Sequence, residues 1–349
     1  MKRLVQKTTS QNGKLQADLT EMHKKLSTYI ERGRIAESGA VNEESIVAVK
    51  PDPLKIKPLK KVDTFNGHFL AVDCSTRTLK RANNWGIYLM RASYAHVQER
   101  SVKWNYLERI YTAVGDSHAR RNLLTNVRIE LESQMALSLL QNQEMFLYDE
   151  HPDARRNYLL LDGAGYFGGD RKYCVSLYDE CEKHGVSLLA LSKNSPVLHD
   201  EKGRDFVATT SMMAPYKLWV YPALRKSNRD EHLYGDISVI KLCETSERVF
   251  RCDIMEYLTS CDIVEMLSPL TYLSEDPRCL GYPIPLYLAH EFSGPSDSML
   301  VYYHDQVEEE LKETGLLNAL RREEQSCSFA DELHGIKHAF QWEWWDGQF

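Results

Sequence analysis

The sequence lacks several features that would place it in large protein classes. Its eight cysteines (Cys74, Cys174, Cys181, Cys243, Cys252, Cys261, Cys279, Cys327) never form a CxxC pair, which disfavours a zinc ribbon and a disulfide-dense secreted scaffold alike. They are expected to be reduced and mostly buried. No apolar run approaches the roughly 18–20 residues that a membrane-spanning helix requires, and the mean hydropathy of -0.46 points the same way. A membrane partner is therefore not expected. The opening stretch MKRLVQKTTSQNGK carries basic residues with no apolar segment behind them, so no secretory signal is read and the cytoplasm is the expected location. Positive charge is not in excess either: 43 basic against 50 acidic residues leave a formal net charge of -7. Any contact with nucleic acid must then be local or assisted by metal ions. A GxxxxGK[ST] phosphate loop is absent, which excludes ATP hydrolysis by that route. His290-Glu291 is not followed by the second histidine of HExxH, and no GxSxG elbow occurs.

What is present suffices for a sizeable core, since 43% of the 349 residues are hydrophobic and the length suits one elaborated domain or two. Leu15, Leu19, Met22, Leu26 and Ile30 recur at helical spacing among many charges and predict an amphipathic helix over residues 15–38. Packing on its own domain and facing a partner are both open to it. Residues 49–62 combine Pro51, Pro53 and Pro58 with Lys50, Lys55, Lys57, Lys60 and Lys61, the composition of an extended basic connector. The expected organisation is an N-terminal helix and linker over 1–65, then a body over 66–349. The body is expected to contain a strand-rich insertion at 200–276 and a mostly helical end at 283–349, closing on Trp342, Trp344, Trp345 and Phe349.

Within that body, His68–Asp73, Trp85–Ser93 and His96–Leu107 read as strands, and Arg120–Tyr148 as a long helix. The run Tyr158–Leu161 follows as a strand, then a helix over Arg171–His184 ending at Gly185 and a strand over Val186–Leu191. The expected fold class is thus α/β, a mixed sheet flanked by helices.

Two readings compete for the chemistry. Gly163, Gly165 and Gly168 spell GxGxxG between a strand and a helix, the context of a dinucleotide-dependent oxidoreductase. Against this, Asp162 would stand beside the pyrophosphate and repel it, and the next strand ends in Ser192-Lys193 with no carboxylate for a ribose. The other reading starts from Asp73 and Asp162, which close the apolar runs FLAVD and YLLLD. Neighbouring strands would then project two carboxylates from one sheet edge, as Mg²⁺ or Mn²⁺ requires. A third carboxylate would come from the long helix. Glu132 shares its apolar face with Ile129, Met135, Ala136 and Leu139, and a carboxylate there is costly unless paired or metal-bound. Glu130 ranks second and Glu144 third.

The ordered set AVDCS around Asp73, LLLDG around Asp162, LALSKNS with Lys193, and GYPIPLYLAHEFSG with Tyr282 and His290 resembles the NurA nucleases. The resemblance covers residues 69–294. It implies an RNase H-like fold and a metal-dependent DNA nuclease, a single-strand endonuclease and 5′-to-3′ exonuclease acting on DNA ends in repair. It further implies a homodimer working with a hexameric HerA-type ATPase. By the same resemblance Asp73, Glu132, Asp162, Tyr282 and His290 form the site, with Mn²⁺ or Mg²⁺ held by Asp73, Glu132, Asp162 and His290, and Lys193 as a phosphate contact. Cys74 stands where the family commonly has Gly, and Ala164 where it has Ser. A non-catalytic adaptor of a ring ATPase built on the same fold is the alternative from another functional class.

Overall fold

The computed structural model describes residues 2–32, 47–141, 157–163, 172–193, 198–228, 230 and 233–333. Helix α1 (Lys2–Arg32) is followed by the short strands β1 (Val47–Val49) and β2 (Lys57–Pro58), then by three long strands, β3 (His68–Arg81), β4 (Trp85–Gln98) and β5 (Ser101–Val114). Helix α2 (Ser117–Leu140), capped by Asp116, leads to β6 (Asn157–Asp162), α3 (Lys172–Lys183) and β7 (Ser187–Ser192). Next come β8 (Leu198–Asp200), α4 (Phe206–Met213), β9 (Trp219–Arg225), β10 (Gly235–Lys241) and β11 (Phe250–Met255). Helices α5 (Ile263–Leu267), α6 (Pro269–Tyr272), α7 (Ile284–Ser293), α8 (Asp297–Glu313) and α9 (Leu317–Leu333) complete the described chain.

Among the described residues, one sheet of nine strands runs in the order β2-β9-β10-β11-β7-β6-β3-β4-β5. Strands β3, β4 and β5 are antiparallel, β6 lies parallel to β3, and β7 lies parallel to β6. This is the RNase H-like arrangement that the resemblance implies and with which the strand-helix order agrees. The central strands β6 and β7 read NYLLLD and SLLALS and are buried along almost their whole length, as strands covered on both faces must be. The segment from 200 to 276 does not stand apart from this sheet. Strand β11 pairs antiparallel with β7, and β10 and β9 continue outward from it.

The hairpin β4–β5 corrects one expectation. A strand was expected over His96–Leu107, but β4 runs on to Gln98 and the chain reverses at Glu99-Arg100, pairing Gln98 with Ser101. Glu99 adopts φ 51°, the left-handed conformation that tight two-residue hairpins require and that Gly or Asn usually supplies. Nothing in the residue types marks that turn.

Helix α1 packs on the body. Leu19, Met22, Leu26 and Tyr29 are buried with Trp85, Ile87 and Ile110 from the sheet and with Leu300, Val307 and Leu311 from α8. Asp18 is buried beneath them, accepting hydrogen bonds from Arg109 Nη2 at 2.6 Å and from the Ile110 amide at 2.9 Å. Ile30, which the periodicity puts on the apolar stripe, is exposed, and Tyr29 takes the inner position with its hydroxyl donating to Glu323 at 2.8 Å. Leu26→Ala should therefore lower stability by about 2–4 kcal/mol, as truncation of a buried leucine does. Thermal melting checks this, and an unchanged midpoint would show α1 to be a solvated attachment.

The Pro- and Lys-containing segment is likewise woven in. Strand β2 pairs with β9 at the sheet edge, where a proline is tolerated. Ile56 and Leu59 are buried, and the Lys60 amide donates to Ser268 Oγ at 3.0 Å. Lys55, Lys57 and Lys60 are exposed, and Lys61 Nζ pairs with Glu275 Oε1 at 2.7 Å.

Candidate metal centre

The site forms where β6 stops and β3 continues. Their parallel pairing ends at Val72 and Leu161, so Asp73 and Asp162 are the next residues on neighbouring strands and share one face. Asp162 closes its strand as expected. Asp73 does not: β3 runs eight residues further, to Arg81, because its second half pairs with β4 alone. The backbone therefore does not turn at Cys74. The Cys74 side chain packs on the opposite face against Met90, Ala92 and Leu131, so a side chain at this position leaves the strand undisturbed. Ala164 and Glu144 lie outside the described residues, as do Gly165, Gly168 and the aromatic tail. Gly163 is described: it adopts φ 131°, and its amide donates to the Leu191 carbonyl at 2.8 Å.

Helix α7 brings the second part of the site. Pro283 caps it and Pro285 sits in its first turn, where a missing N–H costs nothing. Leu286 and Ala289 are buried, the Ala289 carbonyl accepts a hydrogen bond from Ser93 Oγ at 2.5 Å, and Ser75 Oγ bonds the Ser293 carbonyl. These contacts fix α7 on the face that carries Asp73. His290 Nδ1 lies 2.8 Å from Asp73 Oδ2, and the Cys74 amide donates to Asp73 Oδ1 at 2.8 Å. Just before α7, Gly281 adopts φ 91° and leaves no room for a Cβ beside Ser246. This turn places Tyr282, whose hydroxyl donates to Asp162 Oδ1 at 2.8 Å, while Lys193 Nζ holds Asp162 Oδ2 at 2.8 Å.

One ligand atom each from Asp73, Asp162 and His290 lies within 4.8 Å of the others. Glu132 stands outside that group, yet it is 1% exposed and neither of its carboxylate oxygens is hydrogen-bonded. Glu130 faces the other way and accepts a hydrogen bond from Gln134 at 3.0 Å in an exposed position.

Burial lifts the Glu132 carboxyl well above its ordinary range, against the charge of Arg128 and the nearby Cys74 amide, with Asp73 and Asp162 adding to the effect. Asp162 is also raised, first by burial and then by the charge of Asp73, against the pull of Lys193 and Tyr282. Burial would raise Asp73 too, but the hydrogen bond and charge of His290, with Arg128 and Lys193, hold it below its usual range. His290 is raised by its hydrogen bond to Asp73, against its own burial. Crowded carboxylates, of which Glu132 has neither oxygen hydrogen-bonded, together with an imidazole, are the donor set that a hard divalent cation satisfies, and without one they are costly. Two participants escaped the sequence reading. Ser293 Oγ lies 3.4 Å from Asp73 Oδ2, and Arg128 Nε lies 3.9 Å from Glu132 Oε1. The available signal for Arg128 was a charge one helical turn before Glu132 on the same stripe.

No protein-family model matches the chain, and no curated protein matches it. Among solved structures, the NurA nuclease from Sulfolobus solfataricus superposes with a TM-score of 0.54 at 13% identity, covering 84% of this chain and 95% of that one. A NurA with manganese gives a TM-score of 0.47 at 10% identity over 71% of this chain and 90% of that one. A NurA bound to dAMP and manganese gives 0.46 at 10% identity over 80% and 91%. With its mixed RNase H-like sheet and flanking helices, this chain has the fold of the NurA nucleases.

Proposed function

We propose that this protein is a metal-dependent DNA nuclease of the NurA type, hydrolysing phosphodiester bonds by two-metal chemistry. The observation that carries the reading is the convergence of Asp73, Asp162 and His290 at the open end of β6, beside the unbonded carboxylate of Glu132, on a NurA fold. Asp73, Asp162, Glu132 and His290 would hold Mn²⁺ or Mg²⁺. Oxygen donors suit both ions, and an imidazole among them favours Mn²⁺. When bound, the cation supplies Lewis acidity at the scissile phosphate.

The protein's own groups divide the remaining work. Tyr282 and Lys193 grip the two oxygens of Asp162 and fix its orientation. Asp73 orients the His290 ring through Nδ1, leaving a half-exposed imidazole able to hold or move a proton. Lys193, 45% exposed at the side chain, can meet a backbone phosphate as well as Asp162. The substrate we infer is DNA, cut within single strands and from 5′ ends during end processing in repair, by a homodimer that a hexameric HerA-type ATPase supplies with DNA. Such a motor would account for the missing phosphate loop and for an acidic chain acting on an acidic polymer.

Purified protein given single-stranded DNA and Mn²⁺ should release short products, and EDTA should stop the reaction. DNA left intact, even with a HerA-type ATPase and ATP present, would point to the adaptor role instead. His290→Ala should lower cleavage by roughly two to four orders of magnitude, the scale of a positioned acid-base group. Its Mn²⁺ affinity, read by calorimetry, should fall less than on loss of a carboxylate. Tyr282→Phe should be milder, since it loses one hydrogen bond. Cleavage at the wild-type rate by His290→Ala would reduce α7 to packing.

A further inference from the structure

Arg128 is held differently from Arg91, Arg109 and Arg251, which also meet carboxylates. Arg91 reaches Glu108 through Nε at 2.8 Å, Arg109 reaches Asp18 through Nη2 at 2.6 Å, and Arg251 reaches Asp253 through Nε at 2.6 Å. Those are the short, charge-assisted bonds of structural pairs. Arg128 Nε stands 3.9 Å from Glu132 Oε1 and is sealed from solvent without a hydrogen bond, while 38% of the side chain remains exposed. Its charged neighbours are Glu132, Asp73 and Asp162, the three carboxylates of the candidate centre. The guanidinium balances their charge without being locked to any of them.

We propose that Arg128 is the internal counter-ion of the carboxylate cluster, standing in for a divalent cation until one binds, and that its guanidinium then engages the scissile phosphate of the DNA strand. The inference rests on the nuclease reading and assigns to Arg128 two opposing effects. A fixed positive charge beside the cluster opposes a second cation, so its removal should tighten Mn²⁺ binding by about tenfold. A positioned charge at the reacting phosphate favours cleavage, so the same removal should slow it by roughly 10²-fold or more. A merely structural arginine would show neither split, because its loss would weaken binding and cleavage together.

The test uses the full chain as wild type, Arg128→Met and Arg128→Lys. It combines calorimetric titration with Mn²⁺ in the absence of DNA, single-stranded DNA cleavage at saturating Mn²⁺, and thermal melting of each variant. Arg128→Met is expected to bind Mn²⁺ more tightly than wild type and to cleave more slowly. Arg128→Lys, which keeps the charge but loses the planar fork, should bind Mn²⁺ within about threefold of wild type and recover only part of the rate. Should the methionine variant fail to fold, the lysine variant decides alone, through unchanged binding with slowed cleavage. Mn²⁺ affinity that is unchanged or weaker in folded Arg128→Met, or wild-type cleavage by either variant, would overturn the proposal while leaving the nuclease standing. Wild-type protein that neither binds Mn²⁺ nor cuts DNA would overturn the nuclease reading and this inference with it.

Discussion

Asp73→Asn is expected to abolish Mn²⁺ uptake and to reduce DNA cleavage by about three orders of magnitude or more, since the cation supplies several kcal/mol of transition-state stabilisation. The asparagine keeps the shape of the side chain and loses the charge on which the centre depends. It also removes the acceptor that orients His290 through Nδ1 at 2.8 Å, so the imidazole is misplaced together with the cation. A separate consequence appears in stability. The folded protein holds the Asp73 carboxyl below its ordinary range, chiefly through His290 acting against burial. A depressed carboxyl stabilises the fold above its unfolded pKa, and that contribution is lost as pH falls through the folded value. At neutral pH the asparagine variant should therefore melt below wild type.

Glu132→Gln should be as inactive and yet more stable. Its carboxylate is 1% exposed with no hydrogen bond to either oxygen, and burial raises its carboxyl well above the ordinary range. The sign is opposite to that of Asp73: a raised carboxyl destabilises the folded state as pH rises, so at neutral pH the neutral amide relieves a cost of roughly 1–3 kcal/mol. Metal-free Glu132→Gln is expected to melt several degrees above wild type while losing cleavage, whereas Glu130→Gln, on the exposed side of α2 beside Gln134, should change neither. A Glu132→Gln variant that melts lower and still cuts DNA would show this carboxylate to be a structural partner of Arg128 and would move the third ligand elsewhere.

These two carboxylates show how much of the site the residue order conveyed. Asp73 and Asp162 were legible because each follows an apolar run, and parallel pairing of β3 with β6 makes them neighbours. Glu132 was legible as a charge on an apolar stripe. Tyr282 and His290 carry no such local signal, since their nearness to the aspartates depends on contacts more than a hundred residues away in the chain. They came from resemblance to a family and not from periodicity. Arg128 was missed because a half-exposed arginine on a helix is ordinary until the strand opposite it is known.

The fold divides along the same line. Strands β6 and β7 and the helix between them follow from apolar runs and a glycine stop, all local. The β4–β5 turn at Glu99-Arg100 lacks turn residues, and its position follows instead from the pairing register of two long strands. Whether α1 faces a partner or its own domain could not be read from its stripe, because an apolar stripe looks the same in either setting. The pairing of buried Asp18 with Arg109, set by β5, decides it. Similarly, residues 200–276 read as strand-rich, but their place in the main sheet rests on β11 pairing with β7, which is non-local.

Diffraction at the manganese absorption edge from crystals of the protein soaked in Mn²⁺ tests the central claim most directly. An anomalous peak within about 2.2 Å of ligand atoms from Asp73, Asp162 and His290 is the predicted result, and it should vanish in Asp73→Asn. Crystals that take up Mn²⁺ elsewhere, or leave this cluster without a peak at saturating Mn²⁺, would contradict the account.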